Sequence, residues 1–254
     1  MATRDDVLDE LNLLPRWQLR AQARVAPAAD VPAPTATTPA PDDVATVARV
    51  APAVVHDARA SRIAGLAWDA LAADVEACTA CGLCRTRHKS VPGVGDTKAD
   101  WLFVGEAPGA EEDARGEPFV GQAGRLLDSM LAAIGLSRAD NVYIANVLKC
   151  RPPNNRNPEP AEADACRPYL ERQIALLQPK LIVALGKSAA GLLLGTDATI
   201  ASLRGRVHDY RGVPLVVTYH PAYLLRTLPD KAKAWEDLLL ARSTVAQATP
   251  RIDA

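Results

Sequence analysis

The chain has 254 residues, a formal net charge of −1, eleven aromatic residues and five cysteines. At roughly 100–200 residues per domain this is one domain with extra chain or two small ones, long enough to bury a core without disulfide staples. The near-neutral charge excludes a polybasic strategy for the whole chain, an odd cysteine count argues against a secreted disulfide framework, and no apolar run approaches the roughly 18–20 residues of a membrane span.

The N-terminus, Met1-Ala-Thr-Arg-Asp-Asp6, has no apolar signal core, so a cytoplasmic location is expected. Within residues 1–20, Leu8, Leu11, Leu13 and Leu14 lie near Trp17 in a short amphipathic pattern. Asp5 and Asp6 suit a helix start and Pro15 its end. Such a helix either docks back on the domain or binds a partner in a groove, for which a replication or repair protein is the expectation. Residues 21–60 hold fourteen Ala and six Pro with no Gly and no aromatic. Proline removes donors and restricts its neighbour, so residues 21–65 read as an extended linker. Residues 66–246 form the domain and 247–254 a flexible tail. Charge divides as well: residues 1–76 carry seven Lys or Arg against eleven Asp or Glu, a net of −4, and residues 77–254 carry twenty-two against nineteen, a net of +3.

From Trp101 the pattern alternates. Trp101–Val104 is a short apolar strand ending in Gly105. Leu126, Leu127, Met130, Leu131 and Ile134 recur at helical spacing. Val142–Val147 is a second strand, and Ala161–Leu177 is helical with Pro160 near its start. Leu181–Leu185 is a third strand, followed by a helix over Ser188–Leu194. Pro214–Tyr219 is a fourth strand, and Ala232–Ala241 a last helix. Apolar strands alternating with helices predict an α/β fold, three layers deep (α/β/α), around a central four-stranded parallel sheet. Ligands bind such sheets beyond the carboxyl ends of the strands, here Gly105–Gly109, Asn146–Arg156, Gly186–Ser188 and His220–Leu224.

Cys78-Thr-Ala-Cys81-Gly-Leu-Cys84 contains two overlapping C-x-x-C steps, and Cys150 and Cys166 follow with fifteen residues between them. A C-x-x-C pair lets two thiolates reach one metal centre, and the later pair completes a four-thiolate shell. Spacing alone does not separate zinc from an iron–sulfur cluster. Cys78, Cys81, Cys150 and Cys166 are the favoured ligands, with Cys84 a neighbour of undetermined purpose.

Four stretches in order resemble the family 4 uracil-DNA glycosylases: Gly105-Glu-Ala-Pro-Gly-Ala-Glu-Glu-Asp113, Gly116-Glu-Pro-Phe-Val-Gly-Gln-Ala-Gly124, Asn146-Val-Leu-Lys-Cys-Arg-Pro-Pro153 and His220-Pro-Ala-Tyr-Leu-Leu-Arg226. The cysteine spacing is similar to that family's [4Fe-4S] site. The resemblance covers about residues 70–242. It implies a monofunctional, monomeric glycosylase that flips uracil out of double- or single-stranded DNA and hydrolyses its N-glycosidic bond, leaving an abasic site for base excision repair. No lysine is placed by motif to form a Schiff base, so no lyase step is expected. A cell without a nucleus, with the protein near its nucleoid, follows from the same resemblance.

By the same resemblance Phe119 stacks on uracil, and the Asn146 carboxamide reads its N3–H and O4. His220 hydrogen-bonds O2 and stabilises the leaving anion. Backbone groups of Glu106, Ala107 and Pro108 contact the base. Leu224 is the favoured wedge, with Leu225 the second candidate or else core, and Arg226, Lys231 and Lys233 meet phosphates. The third position of the first motif is Ala107, where better-known uracil glycosylases carry Asp. Carboxylate work therefore falls to Glu106, or to Glu112 or Asp113, which equally suit a cap. The loop Arg151–Pro158 has no His, which argues against covalent self-trapping. The basic run Arg85, Arg87, His88 and Lys89 is a candidate DNA face. The competing reading is a non-catalytic iron–sulfur DNA-binding or replication-associated module with the same fold.

Overall fold

A computed structural model describes residues 58–248. The expected helix within 1–20, the linker up to residue 57 and the end of the tail lie outside the described residues. The chain enters through α1 (Ala58–Ala64), α2 (Trp68–Ala77) and a 3-10 turn at Gly82–Arg85. Then follow β1 (Val94–Gly95), β2 (Trp101–Gly105), α3 (Ala110–Arg115), α4 (Gln122–Ala133), β3 (Val142–Asn146), a 3-10 turn at Pro153–Asn155 and α5 (Pro160–Leu177). The rest is β4 (Leu181–Leu185), α6 (Lys187–Leu194), α7 (Ile200–Leu203), β5 (Val207–Tyr210), β6 (Val213–Thr218), α8 (Pro221–Leu224) and α9 (Asp230–Gln247).

The four apolar runs form parallel neighbours in the order β3-β2-β4-β6. The sheet has six strands rather than four, because β1 and β5 add antiparallel edges to β3 and β6. Neither edge carries an apolar run: β1 has two residues, and β5 presents His208 and Asp209 with only Tyr210 buried. β2, β3 and β4 are buried at every position. Alternate side chains still separate by face, as the period of two requires. Leu102, Val104, Ile182 and Ala184 pack with Leu170 of α5 and Ala190 of α6. Trp101, Phe103, Leu181 and Val183 pack with Leu127 and Leu131 of α4 and Leu238 of α9. These two cores are the two interfaces of an α/β/α stack. Among the described residues, no helix is long and apolar enough to cross a membrane.

The linker was expected to reach residue 65, but α1 is part of the domain. Pro52 is the last proline before Pro92, so nothing breaks a helix there. Ile63 is fully buried with Leu71, Val75 and Tyr169, and Arg59 donates to the Ala165 carbonyl of α5 at 2.9 Å.

The parallel register brings the functional loops together. Gly105 pairs with Asn146, Val104 with Ala184, and Leu185 with Thr218. Four carboxyl ends therefore finish side by side.

The last helix is tied down by a buried ion pair. Asp237 is fully buried, accepts from Arg204 Nε at 3.0 Å and from the Gly205 N–H at 3.2 Å. Burial lifts its carboxyl above the ordinary range, opposed by Arg204. Arg204→Ala leaves that carboxylate unpaired and is expected to cost about 3–5 kcal/mol, read as the shift of a urea unfolding midpoint. Adding Asp237→Asn should recover a large part of the loss.

Candidate active site

The ends of β2, β3 and β6 border a cleft of about 490 Å³, lined by Glu106, Phe119, Asn146, Asn155, His220 and Arg226 among others. Ala107 and Pro108 also line it. Its shape depends on a residue without a side chain. A Cβ at Gly105 would stand 2.3 Å from Asn146 Oδ1 and 2.7 Å from Phe119 Cζ. Glycine at the strand end is what lets the amide and the ring come this close.

Phe119 is held in a left-handed conformation, φ 55°, a cost of about 1–3 kcal/mol for a residue with a side chain. Two features hold it. Arg138 donates to the Pro118 and Phe119 carbonyls at 2.8 and 2.9 Å. Gly124, at the start of α4, lets the Phe119 carbonyl pass at a point where a Cβ would come within 1.7 Å. The Phe119 ring is buried and lies 5.5 Å from the His220 ring, with planes 30° apart.

His220 caps α8: its Nδ1 accepts the Ala222 N–H at 3.1 Å. That bond assigns the remaining proton of the neutral ring to Nε2. Burial pulls its pKa down to about 4, reinforced by Arg226 and opposed by Glu112. The ring is therefore a neutral Nε2–H donor at physiological pH. Asn146 is buried, and its Oδ1 has no hydrogen-bond partner. An unpaired buried carbonyl costs about 1–3 kcal/mol, recovered when a ligand donates to it. Glu106 is half-buried, and burial raises its carboxyl above the ordinary value, opposed by the Ser188 hydroxyl. The cleft thus offers an aromatic face, an amide and an N–H donor, the complement of a planar ring with an acceptor–donor–acceptor edge.

Several expectations change. Glu112 is not a free catalytic carboxylate. Its Oε2 accepts the Gly109 N–H at 3.1 Å, and its Oε1 accepts the Val120 and Gly121 N–H groups at 3.0 and 3.4 Å. It ties the loop after β2 to the loop that follows Phe119. Asp113 is buried and accepts from the His88 backbone and ring at 2.9 and 2.6 Å. Leu224, expected as the wedge, is a core residue in this structure. It is 1% exposed and packs with Tyr219 and Ala234, whereas Leu225 is 39% exposed and Leu228 61%. The chain turns into the short helix α8 at His220, and the fourth residue of that turn faces inward, the fifth outward. Of the basic run, Arg87 turns to Cys150 and Glu76 and the His88 ring to Asp113, while Arg85, His88 and Lys89 are exposed. Arg226 and Lys231 are exposed, and Lys233 is paired with Asp230 at 2.8 Å.

Other contributors had no motif to mark them. Asn155, Arg156 and Asn157 line the cleft from the loop after β3, where Asn154 and Asn155 take φ values of 55° and 53°. The Asn-Asn pair is the signal, since asparagine tolerates that region best among residues with side chains. Arg138 acts on the Phe119 loop through distant carbonyls, which no local pattern encodes.

The cysteines form a second centre. All five border one cavity, along with Arg87 and Lys149. Arg87 donates to Cys150 Sγ at 2.9 Å and Arg59 to Cys78 Sγ at 3.5 Å. Lys149 is 1% exposed and bonds only neutral oxygens, Asn146 O and Gln173 Oε1. A buried ammonium calls for a counter-charge, and the sulfurs of Cys150 and Cys166 are the neighbours that favour its charged form. Five cysteine sulfurs around one cavity, approached by the Arg59, Arg87 and Lys149 side chains, suit an anionic thiolate-bound group. Among the described residues, no three His, Cys, Asp or Glu side chains group so as to hold a single metal ion.

Comparison with known proteins agrees with this geometry. The family model described as the uracil DNA glycosylase superfamily matches residues 92–239. A type-4 uracil-DNA glycosylase of Archaeoglobus fulgidus is 47% identical over 165 residues, covering 62% of this chain and 82% of that protein. A type-4 uracil-DNA glycosylase of Thermotoga maritima is 45% identical over 175 residues, covering 67% and 91%. A type-5 uracil-DNA glycosylase of Thermus thermophilus is 35% identical over 155 residues, covering 52% and 68%. The aligned strand ends and the cleft they border are thus those of the uracil-DNA glycosylase superfamily, to whose type-4 branch this chain belongs.

Proposed function

We propose that this protein removes uracil from DNA by hydrolysing the N-glycosidic bond, leaving an abasic site. The observation that carries the reading is the partnerless Oδ1 of buried Asn146, in a cleft shared with Phe119 and an Nε2–H of His220. Uracil presents acceptor, donor and acceptor at O2, N3–H and O4. Asn146 Oδ1 accepts from N3–H, its Nδ2 donates to O4, and His220 donates to O2. Cytosine carries an acceptor at N3 and a donor at C4, so the amide rejects it.

As the glycosidic bond breaks, its electron pair moves onto the base. His220 donates to the oxygen where that charge collects, and being neutral it can do so without first releasing a proton. Glu106, ionised, aligns the attacking water and balances positive charge on the sugar. Flipping costs a few kcal/mol of unstacking. Leu225, exposed just after α8, fills the space left in the duplex, and Arg226 and Lys231 meet phosphates. Lys149 is buried behind the cleft and bonded on two sides, so no Schiff base forms there. Cys78, Cys81, Cys150 and Cys166 hold a [4Fe-4S] cluster, with Cys84 beside them. When bound, the cluster supplies a cross-link between the 78–84 segment and the loop after β3, and the hydrolysis needs no electron. The protein works as a monomer in the cytoplasm, at the nucleoid, on single- or double-stranded DNA.

Incubation with a uracil-containing oligonucleotide, then alkali, should break the strand at uracil. An unbroken strand with the iron in place would instead indicate a non-catalytic DNA-binding module. Glu106→Gln should lower the rate by about 10²–10³-fold. Burial raises the Glu106 pKa and lowers that of His220 to about 4. Wild-type kcat/KM should therefore fall as pH drops through a value above the ordinary carboxylate range, with no step near 6.5, and the variant should lose that limb. Full activity in Glu106→Gln would remove its role.

Leu225→Ala should slow excision from duplex DNA about tenfold, in line with the unstacking cost, and spare single strands. Leu224→Ala should instead destabilise the fold by about 2–5 kcal/mol.

Purified protein should contain iron and sulfide and absorb visible light. Both should vanish in Cys78→Ser and Cys150→Ser and persist in Cys84→Ser. Zinc in place of iron would overturn the cluster assignment.

A further inference from the structure

Lys149 lies three residues beyond Asn146 and belongs to neither lining alone. Its ammonium donates to the Asn146 backbone carbonyl at 2.8 Å and to Gln173 Oε1 at 2.6 Å. Gln173, equally buried on α5, donates through Nε2 to the Pro92 carbonyl at 2.6 Å. The Lys149 carbonyl accepts the Val91 N–H at 2.8 Å. On the side toward β2, Val147 and Leu148 donate to the Gly105 and Glu106 carbonyls at 2.9 and 3.0 Å. The backbone around Asn146 is therefore gripped from two directions, by the end of β2 and by a buried cation anchored on α5. The same cation borders the cysteine cavity.

We propose that Lys149 is a positioning residue for base recognition: it fixes the Asn146 backbone from behind, so that the carboxamide meets uracil without rearranging. The inference rests on Asn146 being the amide that reads the base. An apolar side chain would fill the same volume without the penalty of desolvating an ammonium. The bond to Asn146 is what such a side chain would lack. A misplacement of about 1 Å at a recognition group costs up to about a hundredfold.

The test compares Lys149→Met, Gln173→Met and Asn146→Ala with the wild type. It reads inhibition by free uracil, binding of DNA carrying a tetrahydrofuran abasic-site analogue, iron content and thermal unfolding. Free uracil reports the amide, and abasic DNA reports the remaining grip. Lys149→Met should weaken free-uracil inhibition about tenfold or more, with abasic-DNA binding and iron unchanged. Gln173→Met should show a smaller loss of the same kind. Unchanged uracil inhibition in Lys149→Met, with Asn146→Ala weakened, would overturn the proposal alone. Unchanged inhibition in Asn146→Ala would overturn the base-reading assignment and this inference with it. Parallel losses of uracil and abasic-DNA binding would mark a general structural role and also overturn it. If Lys149→Met does not fold or lacks iron, Gln173→Met decides: a selective loss of uracil supports the positioning role, and no loss ends it.

Discussion

The missing side chain at Gly105 is the constraint on which the site depends. Gly105 and Asn146 are register partners at the ends of adjacent parallel strands. A methyl group on the first would collide with the amide of the second and with the Phe119 ring. The cleft is therefore a consequence of sheet register. Asn146 and His220 meet because their strands end at one level, the Phe119 ring reaches them from the loop between α3 and α4, and the closest approach occurs where there is no Cβ to prevent it.

The costs of this arrangement are concentrated in a small region. Phe119 holds a strained φ, Asn146 leaves a carbonyl oxygen unpaired, and His220 is buried in its neutral form. Each is tolerated because a neighbour restrains it. Arg138 grips the carbonyls beside Phe119, Glu112 laces the two flanking loops, and the Ala222 N–H orients His220. Glu112 illustrates how a carboxylate in a cleft can be structural. Its oxygens are occupied by backbone N–H groups, which leaves Glu106 as the other carboxylate lining the cleft.

Much of this was legible in the residues. The four parallel strands announced themselves as apolar runs, since a strand buried on both faces has no polar positions. The ordered motifs around Gly105, Phe119, Asn146 and His220 named the family, because the chemistry requires those groups on those loops. The edges were not legible. β1 is too short to carry a pattern, and β5 is polar because one side of it meets solvent. The helix α1 was masked by the Ala/Pro composition that precedes it, although its own residues contain no proline.

Sequence by itself determined the fold class, the set of chemical groups and the thiol-rich centre, since periodicity and residue type are local properties. Tertiary structure decided which member of each set faces the cleft. Leu224 and Leu225 are adjacent and chemically identical, and only the turn into α8 sends one into the core and the other outward. Glu106 and Glu112 are both glutamates of one motif, and only the position of the Val120 and Gly121 N–H groups makes the second an anchor. Lys149 reads in the sequence as an ordinary lysine. Its burial between Asn146 and α5 exists only once β3 and α5 have packed, because a hydrogen bond across 24 residues has no local signature.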